Sequence, residues 1–298
     1  MTKIAHLTDL HFGSEDPVIV NTLVAELNAE PPDLVAISGD LTLGGRHSEF
    51  RAARAFINRL TAPTLAVPGN HDITPYNLPE RFTNPYIRWR TEIDPETEPF
   101  WSDGTVAVIG LNTARRFSLQ WDWSRGRVTR KRLLRLIARL DAVPDGVVRI
   151  VVAHHPLLPP ETGPETPVAM GAARALAAFT QHHVALVLAG HLHRGYARLA
   201  TVGDDPPLVL QGGTATSVRL RGEPNSYNRV AVHADGGVFV EVRAWDGQGW
   251  GTRAVGEADA RALARMTNGR AGDVAAMTLG LHETAQIPPS IGVKAGSQ

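Results

Sequence analysis

Asp9-Leu10-His11 places a carboxylate and an imidazole two residues apart, and residues two apart on an extended chain face the same side. The pair can therefore hold one cation. Four further segments repeat the chemistry: Ser38-Gly39-Asp40, Gly69-Asn70-His71-Asp72, His154-His155-Pro156 and Gly190-His191-Leu192-His193. Taken singly, each is as readily a turn, a helix cap or a packed histidine. Together they hold six of the 12 histidines, and burying six imidazoles for packing alone would be costly. A shared metal site is the better reading. The chain has no cysteine, which excludes disulfides, thiolate zinc, iron–sulfur clusters and thiol catalysis. Imidazole, carboxylate and amide donors without thiolate suit Mn, Fe, Co or Zn better than Ca.

Each segment follows an apolar run. Ile4–Thr8, Leu34–Ser38, Thr64–Val67, Val106–Leu111, Val148–Ala153 and Ala185–Ala189 read as strands, most of them apolar on both faces, which suits a sheet covered by other layers. Between them, Val18–Ala29 is a helix with Asp16 to cap it and Pro17 at its first position. Arg46–Leu60, the stretch after Thr129 and Gly171–His182 also carry helical spacing. Alternating strand and helix is the α/β pattern, whose ligands gather outside the carboxyl ends of the strands. Five such ends here deliver Asp, His or Asn. After His193 the spacing predicts strands at Leu208–Gln211, Arg229–Ala234 and Gly237–Ala244, the last two joined by an Asp235-Gly236 turn. Residues 73–104 form a long connection with six aromatics, expected either to cap the site or to cover the sheet edge. One domain is expected over 1–256, followed by a tail, 257–298, with a short helix near Glu257–Met266.

The ordered set Asp9-x-His11, Gly39-Asp40, Gly69-Asn70-His71-Asp72, His154-x-Pro156, Gly190-His191-x-His193 resembles the calcineurin-like metallophosphoesterase superfamily. Within it the chain looks most like class III cyclic-nucleotide phosphodiesterases and related glycerophosphodiesterases. The resemblance implies a four-layer α/β/β/α sandwich of two mixed sheets and two divalent transition-metal ions. It gives Asp9, His11 and His193 to one ion, Asn70, His154 and His191 to the other, and Asp40 to both. His71 is implied as the non-ligand histidine near the leaving group, with Asp72 orienting it or its loop. His155 has no assigned role, though its neighbour position suggests support of the ligands. Protein phosphatases of the superfamily carry Gly-Asn-His-Glu and purple acid phosphatases a Tyr where Leu43 stands, so neither is expected.

The implied activity is hydrolysis of a small phosphodiester. A 3′,5′-cyclic nucleotide is the leading substrate; alternatives are a glycerophosphodiester, a phospholipid-derived or a pyrophosphate-linked compound, then a nuclease substrate. A scaffold that kept only the fold would have lost ligands, and none is missing. Arg115, just past the fourth strand, could hold a phosphate oxygen. Equal counts of 30 basic and 30 acidic residues argue against a protein that grips a long polyanion by charge. No run approaches the length of a membrane span and no apolar leader opens the chain, so a cytoplasmic protein is expected, and the tail carries apolar residues that would be costly to leave wet. Those residues, Leu263, Met266, Met277, Leu279 and Leu281, would dock on the core or on a second subunit as a homo-oligomer.

Overall fold

The computed structural model describes residues 1–116, 124–259 and 282–283. Its elements follow in the order β1 (Thr2–Leu7), α1 (Pro17–Ala29), β2 (Leu34–Ile37), α2 (His47–Ile57) and β3 (Thr64–Ala66), then the short helices α3 (Leu78–Thr83) and α4 (Ile87–Glu92). A second run holds β4 (Phe100–Ser102), β5 (Val106–Leu111), α5 (Arg130–Asp141), β6 (Val148–Ala153), α6 (Ala172–Gln181) and β7 (Val184–Ala189). The chain then turns to strands alone: β8 (Tyr196–Leu199), β9 (Leu208–Gln211), β10 (Ser226–Val232), β11 (Gly237–Trp245), β12 (Trp250–Asp259) and β13 (His282–Glu283).

The expected strands and helices form where the apolar spacing put them, because cap and stripe agree. Asp16 accepts from the Val18 amide at 2.8 Å with Pro17 behind it, and Thr129 accepts from the Arg132 amide at 3.2 Å. The buried stripe of α5 is Leu133, Leu136 and Leu140. Two short strands and the ten-residue β12 escaped the sequence pattern. β4 and β8 are edge strands of three and four residues, and β12 is half polar.

Two mixed sheets result. One has the order β13-β12-β11-β10-β1-β2-β3 and the other β4-β5-β6-β7-β9-β8. In the first, β1, β2 and β3 are parallel; in the second, β5, β6, β7 and β9 are. The sheets pack face to face through Ile4, Leu34, Ala36, Val108, Ile150, Val152, Leu188 and Leu210. Helices α1 and α2 bury Leu23, Phe50 and Phe56 on the outer face of the first sheet, and α5 and α6 bury Leu136 and Phe179 on that of the second. This is the four-layer α/β/β/α sandwich. All parallel strands end along one rim, where the loops of both sheets meet.

The 73–104 connection buries Tyr86 and Trp89 in the cluster that holds Phe50, while Tyr76 stays 68% exposed with the Arg46 guanidinium 5.0 Å from its ring centroid. The helix expected from about Glu257 does not begin there: β12 stays extended through Asp259, pairing it with Gly237. Its remainder and the five apolar tail residues lie outside the described residues, as do Trp121 and Trp123.

Candidate metal centre

The rim loops bring the sequence-selected residues together. Asp9 and His11 follow β1, Asp40 follows β2, Asn70 and His71 follow β3, His154 follows β6, and His191 and His193 follow β7. Three histidines are set the same way. His11 Nδ1–H donates to the Thr42 carbonyl at 3.3 Å, His154 Nδ1–H to the Ser38 carbonyl at 2.8 Å, and His193 Nδ1–H to the Arg219 carbonyl at 3.0 Å. A carbonyl can only accept, so the proton is pinned on Nδ1 and the Nε2 lone pair faces inward. Outer hydrogen bonds of this kind orient metal-binding imidazoles.

The inward atoms converge as two groups. Asp9 Oδ1 lies 3.2 Å from His193 Nε2 and 3.6 Å from His11 Nε2. Asp40 Oδ2 lies 3.2 Å from His154 Nε2, which is also 3.2 Å from Asn70 Oδ1, and 3.9 Å from His11 Nε2. One nitrogen of His191 gathers within 4.8 Å of donors on His154 and His155. Asp40 divides its oxygens: Oδ1 accepts the His71 amide at 2.8 Å, leaving Oδ2 between the two groups. Asp9 divides likewise. Its Oδ2 accepts from the His191 amide at 2.8 Å and Thr8 Oγ1 at 2.7 Å, whereas Oδ1 is buried without a hydrogen-bond partner. A carboxylate oxygen and two imidazole lone pairs packed this closely, all acceptors, fit a cation between them. The donor set fits two.

Charge tells the same story. Burial opposes ionisation of Asp40, yet the neighbouring His154, His71 and His11 imidazoles hold its carboxyl well below the usual carboxylate range. With no cation on its Nε2, His154 would hold a second proton there, its pKa pushed up to about 9: burial works against the charge, and Asp40 overrides it. The carboxylates demand positive charge nearby. His191 goes the other way, to about 4, through burial and then His154.

His155 is not a donor to this set. Its Nε2–H donates to the Ser124 carbonyl at 2.7 Å, and Thr113 Oγ1 sits 2.7 Å from Nδ1. Both nitrogens are engaged, and burial holds the pKa well below its ordinary value, so the ring is neutral. It rests against His154 and His191, each at 4.8 Å between centroids. Asp72 also stands back, accepting from the amides of Thr42 at 2.9 Å, Leu41 at 3.2 Å and Gly69 at 2.9 Å. It ties the Asp40 and Asn70 loops together. The ring of His71 is held elsewhere, with Nδ1–H donating to the Leu43 carbonyl at 2.5 Å. Arg115 points one Nη toward Met170 Sδ, 3.3 Å away.

Two features had no clear sequence signal. Asp9, His11, Asp40, His191 and His193 all have φ between 49° and 81°, a region that non-glycine residues seldom adopt. The segment after β9 is the other. Thr214 Oγ1 donates to the Asp9 carbonyl at 2.6 Å, Thr216 Oγ1 to the Leu10 carbonyl at 2.9 Å, and the Arg219 carbonyl holds His193. The small residues of Gly212-Gly213-Thr214-Ala215-Thr216 were the available hint, since only a close-packed loop needs so little side chain. Gly69, which the sequence suggests as the glycine of a turn that brings Asn70 and His71 inward, has another reason to be glycine. Its φ is ordinary; a Cβ there would meet Asp40 Oδ1 at 2.1 Å, so the residue is glycine for close approach.

A family model described as calcineurin-like phosphoesterase matches residues 2–195. Among curated proteins, the chain is 28% identical over 226 residues to the glycerophosphodiester phosphodiesterase GpdQ of Enterobacter lignolyticus, covering 70% of this chain and 78% of that one. It is 26% identical over 205 residues to "Probable cyclic nucleotide phosphodiesterase syc0937_d" of Synechococcus, covering 65% and 74%. Among solved structures, the purple acid phosphatase PPD1 of yellow lupin superposes with a TM-score of 0.62 at 13% identity over 84% of this chain. This chain spans about half, 52%, of that one, and the likeness concerns the fold alone.

Proposed function

We propose, for a chain that belongs to the calcineurin-like phosphoesterase family and is a metal-dependent phosphoesterase, that its substrate is a small glycerophosphodiester. The cyclic nucleotide that leads from sequence alone becomes the second reading, favoured by the likeness to the Synechococcus protein. The observation that carries the first is the likeness to the Enterobacter glycerophosphodiester phosphodiesterase over 226 residues, 78% of that protein's length; a cavity beside His191, walled by His155, Pro156 and residues 124–126 and 166–169, offers room for an alcohol next to the proposed metal-binding set. The larger shared length with the glycerophosphodiesterase supports the same choice.

Asp9, His11 and His193 would hold one ion, Asn70, His154 and His191 the other, and Asp40 Oδ2 would serve both. Such ions, when bound, lower the pKa of water and stabilise charge on the phosphoryl oxygens. The protein's own residues do the rest. Asp40 Oδ1 fixes the backbone of His71, and Leu43 fixes its ring through Nδ1, so Nε2 is the atom left to act. Protonated there, His71 gives its proton to the departing alkoxide and returns to the neutral imidazole with Nδ1–H still on Leu43. Asp72 keeps the two loops in register through the Leu41, Thr42 and Gly69 amides. The metals are expected from Mn, Fe, Co or Zn on donor chemistry.

The test is a comparison of kcat/KM for the Mn-loaded protein on glycerophosphodiesters, 3′,5′-cyclic AMP and bis(p-nitrophenyl) phosphate. Glycerophosphodiesters should exceed the cyclic nucleotide. The reverse order would overturn the substrate, and silence on all three would overturn the activity.

A further inference from the structure

We propose that the cavity beside His191 selects, through Arg125, a substrate alcohol that carries a carboxylate. The inference rests on the phosphodiesterase reading and deepens it. Because His191 belongs both to the metal-binding set and to the cavity wall, a diester with phosphorus at the centre places one of its alcohols in that space. The lining that matters is Ser124, Arg125, His155, Thr166, Val168 and His191.

Arg125 is the one permanent charge among the described residues that line it. The Nε–H donates to the Val168 carbonyl at 3.0 Å, which lays the guanidinium along the cavity wall. Among the described residues no carboxylate forms an ion pair with it, and the lining holds no Asp or Glu. His155 has both ring nitrogens engaged, by the Ser124 carbonyl and by Thr113 Oγ1. Ser124 and Thr166 add hydroxyls, while Pro156, Val168 and Leu192 supply apolar wall. A cation anchored in a small, partly apolar cavity is attractive to a planar anion and repels a like charge. A guanidinium pairs with a carboxylate through parallel N–H bonds; a trimethylammonium group would meet a like charge, with no acid among the described lining residues to balance it. The site therefore takes diesters of a carboxylate-bearing alcohol, such as serine, over diesters of choline.

The experiment compares glycerophosphoserine with glycerophosphocholine on the Mn-loaded protein, alongside calorimetric binding of the monoesters O-phosphoserine and phosphocholine. The serine compound should be preferred by about tenfold or more in kcat/KM, with the same order in binding, the worth of one charge-assisted pair. Arg125→Gln should bring both ratios near one with metal content and Tm unchanged, and Arg125→Lys should restore part of the preference. A near-unity ratio in the native protein, or a ratio that survives Arg125→Gln, overturns the inference. The two readings fail separately. Loss of all diester hydrolysis, including bis(p-nitrophenyl) phosphate, removes the phosphodiesterase reading as well. Hydrolysis with no preference removes only the carboxylate subsite.

Discussion

Gly69→Ala adds one methyl group and should disable the metal centre. The new Cβ would stand 2.1 Å from Asp40 Oδ1 and 2.5 Å from the Asp40 amide nitrogen. Ordinary contact begins near 3.4 Å, so the carboxylate must retreat by 3.4 − 2.1 = 1.3 Å. Ligand positions are useful only within about 0.2 Å of ideal, and Asp40 alone lies between both groups of donors. Retreat also breaks the 2.8 Å bond from the His71 amide, which orients the residue proposed as proton donor. We expect metal affinity to fall by at least ~10–100-fold and activity to fall with it. Overpacking of this sort costs about 1–3 kcal/mol, or roughly 2–4 °C in Tm for each kcal/mol in a domain of this size. The control is Gly104→Ala, at φ +87° with nothing within 4 Å of its Cβ. It should lose about 1–2 kcal/mol to backbone strain and keep its metal. Elemental analysis, calorimetry with Mn and a thermal melt decide the matter. A Gly69→Ala protein with two metals and native turnover would refute the packing argument.

Three other outcomes follow from the same geometry. Asp40→Ala should lose both ions, whereas His193→Ala should weaken chiefly the one shared with Asp9 and His11; equal metal content in the two variants would tell against Asp40 as the bridge. His71→Ala should keep both metals yet slow an alkyl diester by about 10²–10⁴-fold, and an aryl diester much less; equal losses would point to electrostatic holding instead of proton donation. His6 is buried, accepts from Asn228 through Nδ1 and donates to Ser38, and burial pushes its pKa to about 3. Below pH 6.5 the unfolded chain takes up a proton that the folded one refuses, so stability falls as pH drops toward 3, by at most ~1.4 kcal/mol per unit. His6→Gln should flatten that acid limb in urea midpoints measured at pH 7 and pH 5, and an unchanged slope would exclude His6 as its source.

What could be read from sequence was governed by period and by chain order. Ile4, Leu34, Ala36, Ile150, Val152 and Leu188 sit in continuous apolar runs, so the parallel strands were plain, and with them the rim on which Asp9, Asp40, Asn70, His154 and His191 would meet. Helix α5 was plain because Thr129 caps it and Leu133, Leu136 and Leu140 keep one face. The tie from Thr214 to Asp9 joins residues 205 apart, and no local pattern carries such a bond. The same limit hid the role of His155. Its neighbour His154 shares its residue type and its strand end, and only Thr113 and Ser124, both distant in sequence, separate the two by occupying the His155 nitrogens.

The left-handed conformations of Asp9, His11, Asp40, His191 and His193 connect these observations. Each costs on the order of 1–3 kcal/mol and persists only where surrounding structure over-determines it. The surroundings do so here through backbone bonds that tie one ligand loop to another. The Asp9 amide donates to the Gly39 carbonyl at 3.1 Å, the His11 amide to the Asp40 carbonyl at 3.0 Å, and the Gly190 amide to the His154 carbonyl at 2.9 Å. Thr214 and Thr216 then take up the carbonyls of Asp9 and Leu10. Loops from both sheets are thus fastened to one another before any side chain reaches inward. Carboxylates and imidazoles held this way cannot relax apart to relieve their crowding, which is what a centre must achieve if cations, and not hydrogen bonds among the ligands, are to satisfy it. The strained backbone and the bare Asp9 Oδ1 are therefore two sides of one device: strain holds acceptor against acceptor, and cations between them would make that arrangement favourable.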